Sequence, residues 1–392
     1  MDINIPENFI MLHSEHLFLM RLSEQMLKKM PIKPLITQLL ALCLLFVTSL
    51  SQSAEISKLD EAEVVVASRA NNVKAKALAE ALASVFLKNS GTPAVLAHPL
   101  VKMQLKQPEV LLVQYSYTEV NGELFLTANF DHQRIINTLR QADLPVWGSQ
   151  RPLTLFWLAL DEGPEKVLLA DSSVSHLRQE LDLSSRNKGI PVLLPVMDLD
   201  DLMAVNVTDV RGMFVEPVAK ASNRYQADYF AMADFDKQGS QINFTLALYD
   251  KTRTNGVLMP LLRQQGQAQD YQQAAKDVME ILANYFVSQY AIAATGEDNE
   301  TEVTFIGLSK MTQTVALESY LRQLSAVKNL KVSQIKGDSI SYQLELFGTV
   351  EDLQRLLNLD PRLSPIDSQG SVDAYYAPQD ASAQELLYQW RG

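Results

Sequence analysis

The spacing of apolar side chains divides the chain after residue 60 into three regions of mixed strands and helices. From about residue 60 to residue 148, EVVVAS (Glu63–Ser68) reads as a buried strand. Leu78, Ala81, Leu82, Val85 and Phe86 follow at i, i+3, i+4, i+7 and i+8, an amphipathic helix that Gly91 should stop. VLLVQYSY (Val110–Tyr117) and ELFLTANF (Glu123–Phe130) alternate around Asn121-Gly122, a hairpin signal, and Asp131 is placed to cap a helix carrying Ile135, Ile136 and Leu139. The β-α-β-β-α order predicts a ferredoxin-like α+β sandwich.

The second region, residues 151–294, opens with LTLFWLAL (Leu153–Leu160) and KVLLA (Lys166–Ala170), strands around the turn DEGP. Val174, Leu177 and Leu181 predict a helix, and IPVLLPV (Ile190–Val196) a short buried strand. Residues 207–222 read as helical, bent or ended by Pro217. ADYFAMAD, INFTLALY and VLMPLL predict three antiparallel strands, before a helix from Tyr271 to Phe286. This is an α/β sheet covered by helices.

A polar linker, Ala294–Thr301, leads to the third region, residues 300–378. EVTFIGL, LKVSQI, SYQLELF and SVDAYY predict strands, with Thr312 and Thr349 opening helices and Asp352 at the capping-box position. The β-α-β-β-α-β order is a split βαβ pattern. The tail 379–392, containing ASAQELLYQW, reads as a final turn or two of helix. The fold class is thus α+β and α/β, in tandem small sandwiches.

The segment before these regions changes the picture of where the protein works. Lys28, Lys29 and Lys33 precede an uncharged apolar run from Leu35 to Leu50, then SQSAE. This is the layout of a secretory signal, with cleavage expected next to Ala54. The run would be about 24 Å long as a helix, short for a membrane span. An uncleaved anchor is the alternative. The stretch upstream of Met30 carries acids that do not suit a signal, which points to a start at Met20, Met26 or Met30. Loss of residues 1–54 would remove the only cysteine, Cys43, and leave the net charge at −12. A cysteine-free exported chain fits a bacterial periplasm. The acidic charge argues against nucleic acid as a partner.

Candidate chemistry is sparse. No phosphate loop, dinucleotide fingerprint or H-E-x-x-H motif occurs, and no cofactor is expected. Asp198, Asp200 and Asp201 in MDLDD could serve a hard cation, with His176 as a distant companion, which would suit a metal-dependent hydrolase. The plainer reading is structural: the acids cap a helix and pair with Arg224, brought close by adjacent parallel strands. Trp147 and Arg151, in LPVWGSQRP between the first two regions, suit interdomain packing or a ligand platform.

LPVWGSQRPLTLFWLALDEG, RNKGIPVLLPVMDLDD and ASNRYQADYF together resemble the bacterial family named domain of unknown function 2066, over about Glu61 to Ala293. The resemblance implies an exported protein of a Gram-negative bacterium and supplies no catalytic residues. By element order alone, the second region also looks like the N-terminal domain of the Tol–Pal protein TolB. These readings converge on a non-enzymatic periplasmic protein that binds or assembles envelope proteins. The metal-dependent hydrolase and a membrane-anchored scaffold stand as alternatives, with membrane contact only through the N-terminal segment.

Overall fold

The structure is a computed structural model of the 392-residue chain. It describes residues 58–120, 122–250, 253–254, 256–294, 299–366 and 386–392. The signal segment, Asn121 and the strand expected at Ser371–Tyr376 lie outside the described residues. Those described form a mixed α+β fold with three sheets, one two-stranded ribbon and ten α-helices.

The N-terminal module runs β1 (Glu61–Val65), α1 (Asn71–Ser90), α2 (Pro99–Lys106), β2 (Leu112–Val120), β3 (Glu123–Phe130) and α3 (His132–Gln141). Its antiparallel sheet has the order β1-β3-β2. Leu78, Leu82 and Phe86 of α1 pack with Leu126 and Phe130 of β3 and with Ile135 and Leu139 of α3. Gly91 ends α1 at φ 74°, its N–H donating to the Leu87 carbonyl at 2.7 Å. A Cβ there would also strike the Val287 side chain, so both conformation and space call for glycine. Asp131 caps α3 through the Arg134 N–H at 3.1 Å. Helix α2 had no counterpart in the sequence pattern. Pro99 at its first position and the His98 imidazole, which accepts from the Leu100 N–H, start it.

The middle module runs β4 (Thr154–Glu162), β5 (Glu165–Leu168), α4 (His176–Lys188), β6 (Val192–Leu193), α5 (Leu199–Ala204), α6 (Val207–Arg211), α7 (Val215–Ser222), β7 (Tyr229–Gln238) and β8 (Gln241–Tyr249). The ribbon β9 (Arg253–Thr254) and β10 (Val257–Leu258), then β11 (Leu262–Ala268) and α8 (Tyr271–Tyr290), complete it. The sheet order is β11-β8-β7-β4-β5, with β4 parallel to β7 and to β6. Three expectations are corrected here. The 207–222 helix breaks at Gly212–Phe214, not at Pro217, which sits in the first turn of α7 where a missing N–H costs nothing. The third antiparallel strand is Leu262–Ala268 rather than VLMPLL, because Pro260 cannot donate to a ladder. Val174 lies outside α4 and is exposed.

The C-terminal module runs β12 (Asn299–Ile306), α9 (Met311–Gln323), β13 (Val327–Lys336), β14 (Ser339–Leu346), α10 (Val350–Leu357), β15 (Leu363–Pro365) and β16 (Leu386–Trp390). Helix α9 starts at Lys310, whose N–H is capped by the Gln313 side chain, rather than at Thr312. Thr349 and Asp352 form the expected capping box on α10. The tail is the main correction: Leu386–Trp390 is a strand, not a helix. Leu386, Tyr388 and Trp390 are buried while Leu387 and Gln389 are half-buried, a period of two. β16 lies parallel to β12 and antiparallel to β15, giving the order β13-β14-β12-β16-β15.

Candidate functional site

The three aspartates and Arg224 meet at one edge of the middle module. Asp198 is the N-cap of α5, accepting from the Asp201 N–H at 3.1 Å. Arg224 lies in the 3-10 turn that follows α7. Its guanidinium grips Asp198 with two parallel bonds, Nη2 to Oδ2 at 2.6 Å and Nη1 to Oδ1 at 2.7 Å. Nη1 also reaches Asp201 Oδ1 at 3.1 Å. Asp200 stays at the rim, 4.0 Å away and 86% exposed. Strand adjacency does not bring these groups together: β6 and β7 flank β4 on opposite sides, and the helices α5 and α7 make the approach.

Asp201 is fully buried. Its second oxygen accepts the Met197 N–H at 2.9 Å and the Tyr225 hydroxyl, which in turn accepts the Val196 N–H at 2.8 Å. Tyr225 packs edge-on against Trp157, whose indole N–H donates to Ser222 Oγ at 3.0 Å. The clasp therefore ties residues 196–201 to the end of α7 and to the core. The hydrogen bonds from Arg224 hold the Asp198 carboxyl down at about 2, and burial with the Asp201 contact pushes the Tyr225 phenol up to about 12. A guanidinium fills the space between the carboxylates that a bound cation would need. Above the clasp, Leu199, Leu202 and Met203 form one exposed apolar face of α5, with Val196 before it and Phe214 at the start of α7 also exposed.

Trp147 and Arg151 are buried between modules. The Arg151 guanidinium stacks on the Trp147 ring at 3.4 Å and donates only to carbonyls. These are Gly148 at 2.7 Å, Trp147 at 2.8 Å, Lys88 at 2.9 Å and Gly189 at 3.2 Å. Lys88 stands beside it, its ammonium on the Glu61 carbonyl at 2.9 Å. Burial, then Arg151, lowers Lys88 to about 8.

Two charged groups escaped the sequence reading. Arg211 joins Asp161, Asp234 and Asp236 at 3.4, 3.2 and 2.7 Å, where the parallel strands β4 and β7 end. Acids at alternate positions of a strand end, as in ADFD, were the available signal. The second is a cleft of about 460 Å³ between α3 and the α9–β13 turn, around Arg140. Arg140 donates to the carbonyls of Ile292 and Ser325 and lies over the Phe347 ring at 4.0 Å. Burial lowers it to about 10. Only the fold brings these residues together.

The fold and these sites define a chain of α+β modules joined by the buried Arg151 and the half-buried Arg140. Residues 300–392 match the DUF2066 family, so that resemblance holds, but on the C-terminal module and not on the blocks between Glu61 and Ala293 that suggested it. Residues 53–148 match a second domain of unknown function, DUF8605. No curated protein matches the chain.

Proposed function

We propose that this is an exported, non-enzymatic module that binds protein partners in the bacterial cell envelope. The observation that carries the reading is the exposed apolar face of Leu199, Leu202 and Met203, held rigid by the Arg224 clasp beneath it. Contiguous exposed apolar side chains on an ordered surface mark interaction sites. The same geometry weighs against the hydrolase alternative, because Arg224 already occupies the space between Asp198 and Asp201 and pairs with both. The Lys28–Ala54 segment supports export. In fold terms, the β1-β3-β2 and β12-β14-β13 arrangements support a ferredoxin-like reading of the outer modules. The mixed sheet supports a TolB-N-like reading of the middle one.

The test is site-specific photocrosslinking in intact cells. A crosslinker at Leu202 or Met203 should trap discrete protein partners, whereas one at Val174 should not. Equal or absent labelling at these sites would reject the surface. A fusion of residues 26–60 should carry a reporter to the periplasm, with the mature chain starting at Ala54 or Glu55. A mature chain that keeps Leu35–Leu50 would leave the anchored scaffold.

A further inference from the structure

The strands at the ends of the three sheets are β1 and β2, β11 and β5, and β13 and β15. Sheets keep such edges from unwanted partners by short strands, prolines, basic side chains and bulges. β15 has three residues and ends on Pro365, and β5 has four. β13 carries Lys331 and Lys336 and shifts register twice. β11 carries Arg263 and Gly266, and β1 has the Lys88 ammonium on its Glu61 carbonyl. β2 is built differently. Its nine residues, LVQYSYTEV, include no Lys, Arg or Pro, and its one register shift lies at the start, between Leu112 and Gln114.

Among the described residues β2 pairs with β3 alone, so its outer side presents backbone donors and acceptors to no other described strand. Val113 and Tyr115 are exposed on it, although valine, tyrosine and threonine suit a covered strand. The charges beside this edge are of one sign. Tyr115 and Tyr117 share a face, their ring centroids 5.9 Å apart. The Lys74 ammonium lies over the Tyr115 ring at 5.4 Å, and the Arg69 guanidinium over the Tyr117 ring at 5.3 Å. Neither cation has a carboxylate in ion-pair contact among the described residues, and the first turn of α1 contains no acid.

We propose that β2 takes up an extended acidic segment of another protein as a fourth strand of the N-terminal sheet, with carboxylates at alternate positions facing Lys74 and Arg69. Backbone pairing along the edge supplies affinity, and every second side chain of the added strand supplies specificity. The same charges disfavour a second copy of this chain as the occupant. Antiparallel self-pairing about Ser116, the centre of β2, sets Tyr115 opposite the Tyr117 position of the other copy. Lys74 of one copy would then stand beside the Arg69 position of the other, a like-charge pair that costs stability. The surface lies in the N-terminal module and is independent of the apolar face on α5.

The test is titration of the full chain with two short synthetic peptides, one alternating valine and glutamate, the other alternating valine and lysine. The glutamate peptide should bind saturably and slow amide hydrogen exchange in β2, and the lysine peptide should not bind. Lys74→Glu should weaken the glutamate peptide about fivefold or more, because an attractive cross-strand pair becomes a repulsive one. An acid in the opening turn of a helix favours the helix, so the melting temperature of this variant should not fall. If Lys74→Glu fails to fold, Arg69→Glu, just before α1, carries the same expectation. Absent binding of the glutamate peptide, equal binding of both peptides, protection that falls outside β2, or affinity that these substitutions leave unchanged overturns the proposal. So does a dimer in sedimentation that Ser116→Lys dissociates, since it would give the edge to a second copy.

Discussion

The two outer modules share a plan and differ in how its open side is closed. Each runs β-α-β-β-α with its first three strands in the order 1-3-2. In the C-terminal module, the first strand β12 gains a neighbour, since β16 pairs along it and β15 pairs beyond. In the N-terminal module, the first strand β1 pairs, among the described residues, with β3 alone. There, side chains do what a strand does elsewhere. Lys88 donates to the Glu61 carbonyl, and Asn89 donates to the Leu59 carbonyl at 2.7 Å. Arg151 then clamps the end of α1 to the linker and to Gly189. A ladder runs the length of an edge, whereas here one buried ammonium meets a single β1 carbonyl, at a desolvation cost that a ladder does not carry.

The largest effect should come from removing the ladder. A chain ending at residue 385 loses the buried Leu386, Tyr388 and Trp390, at roughly 1.5–3 kcal/mol each, and leaves β15 without its partner. The C-terminal module should lose hydrogen-exchange protection in β12 and β14 while β2 and β3 keep theirs. Uniform protection would break the contrast. Next comes the cation clamp. Arg151→Ala leaves four carbonyls without their donor and should cost about 3–5 kcal/mol by urea unfolding. Arg151→Lys should recover only part, since an ammonium lacks the planar fork.

Lys88 sharpens the comparison through pH. Its value falls from 10.5 to about 8 on folding, so between these pH values the unfolded chain binds more protons. Stability should therefore rise from about pH 8 to 10.5, by about 3 kcal/mol from this group. Lys88→Met should flatten that rise, and an unchanged slope would show that the ammonium is not desolvated. The smallest effect belongs to the clasp of the middle module. Asp201→Asn should cost about 1–2 kcal/mol, and Asp200→Ala at the exposed rim should leave the unfolding midpoint where it was. The Asp198 contribution is fully present above its ordinary value of 3.8 and is lost as the pH falls through about 2.

Much of this architecture could be read along the chain. Long periodic segments such as Tyr271–Tyr290, and turns with a fixed chemistry such as Lys336-Gly337-Asp338, were found because local physics decides them. The tail was misread because ELLYQW is short enough to suit either period, and only β12 and β15 choose between them. Asp198, Asp201 and Arg224 were recognisable as partners by charge, yet the route that joins them was not, since it depends on two short helices. Trp147 and Arg151 stood out by residue type. Their burial did not, because the four carbonyls around Arg151 come from three separated stretches of chain. The Arg140 cleft had no signal at all in the order of residues.

The insertion of β16 between β12 and β15 has a consequence for the kinetics of folding. The Ile306–Gln389 pair joins residues 83 positions apart, and the pairing is parallel, so no hairpin can nucleate it. Among the described residues β15 pairs with β16 alone, and it reaches the sheet through that strand. The hairpin of β13 and β14 is local and can form early. Completion of the C-terminal sheet is then a late, slow step that pays its loop-closure entropy all at once. Until it occurs, β12 presents an unpaired edge, which makes the half-assembled chain the species most exposed to misassociation.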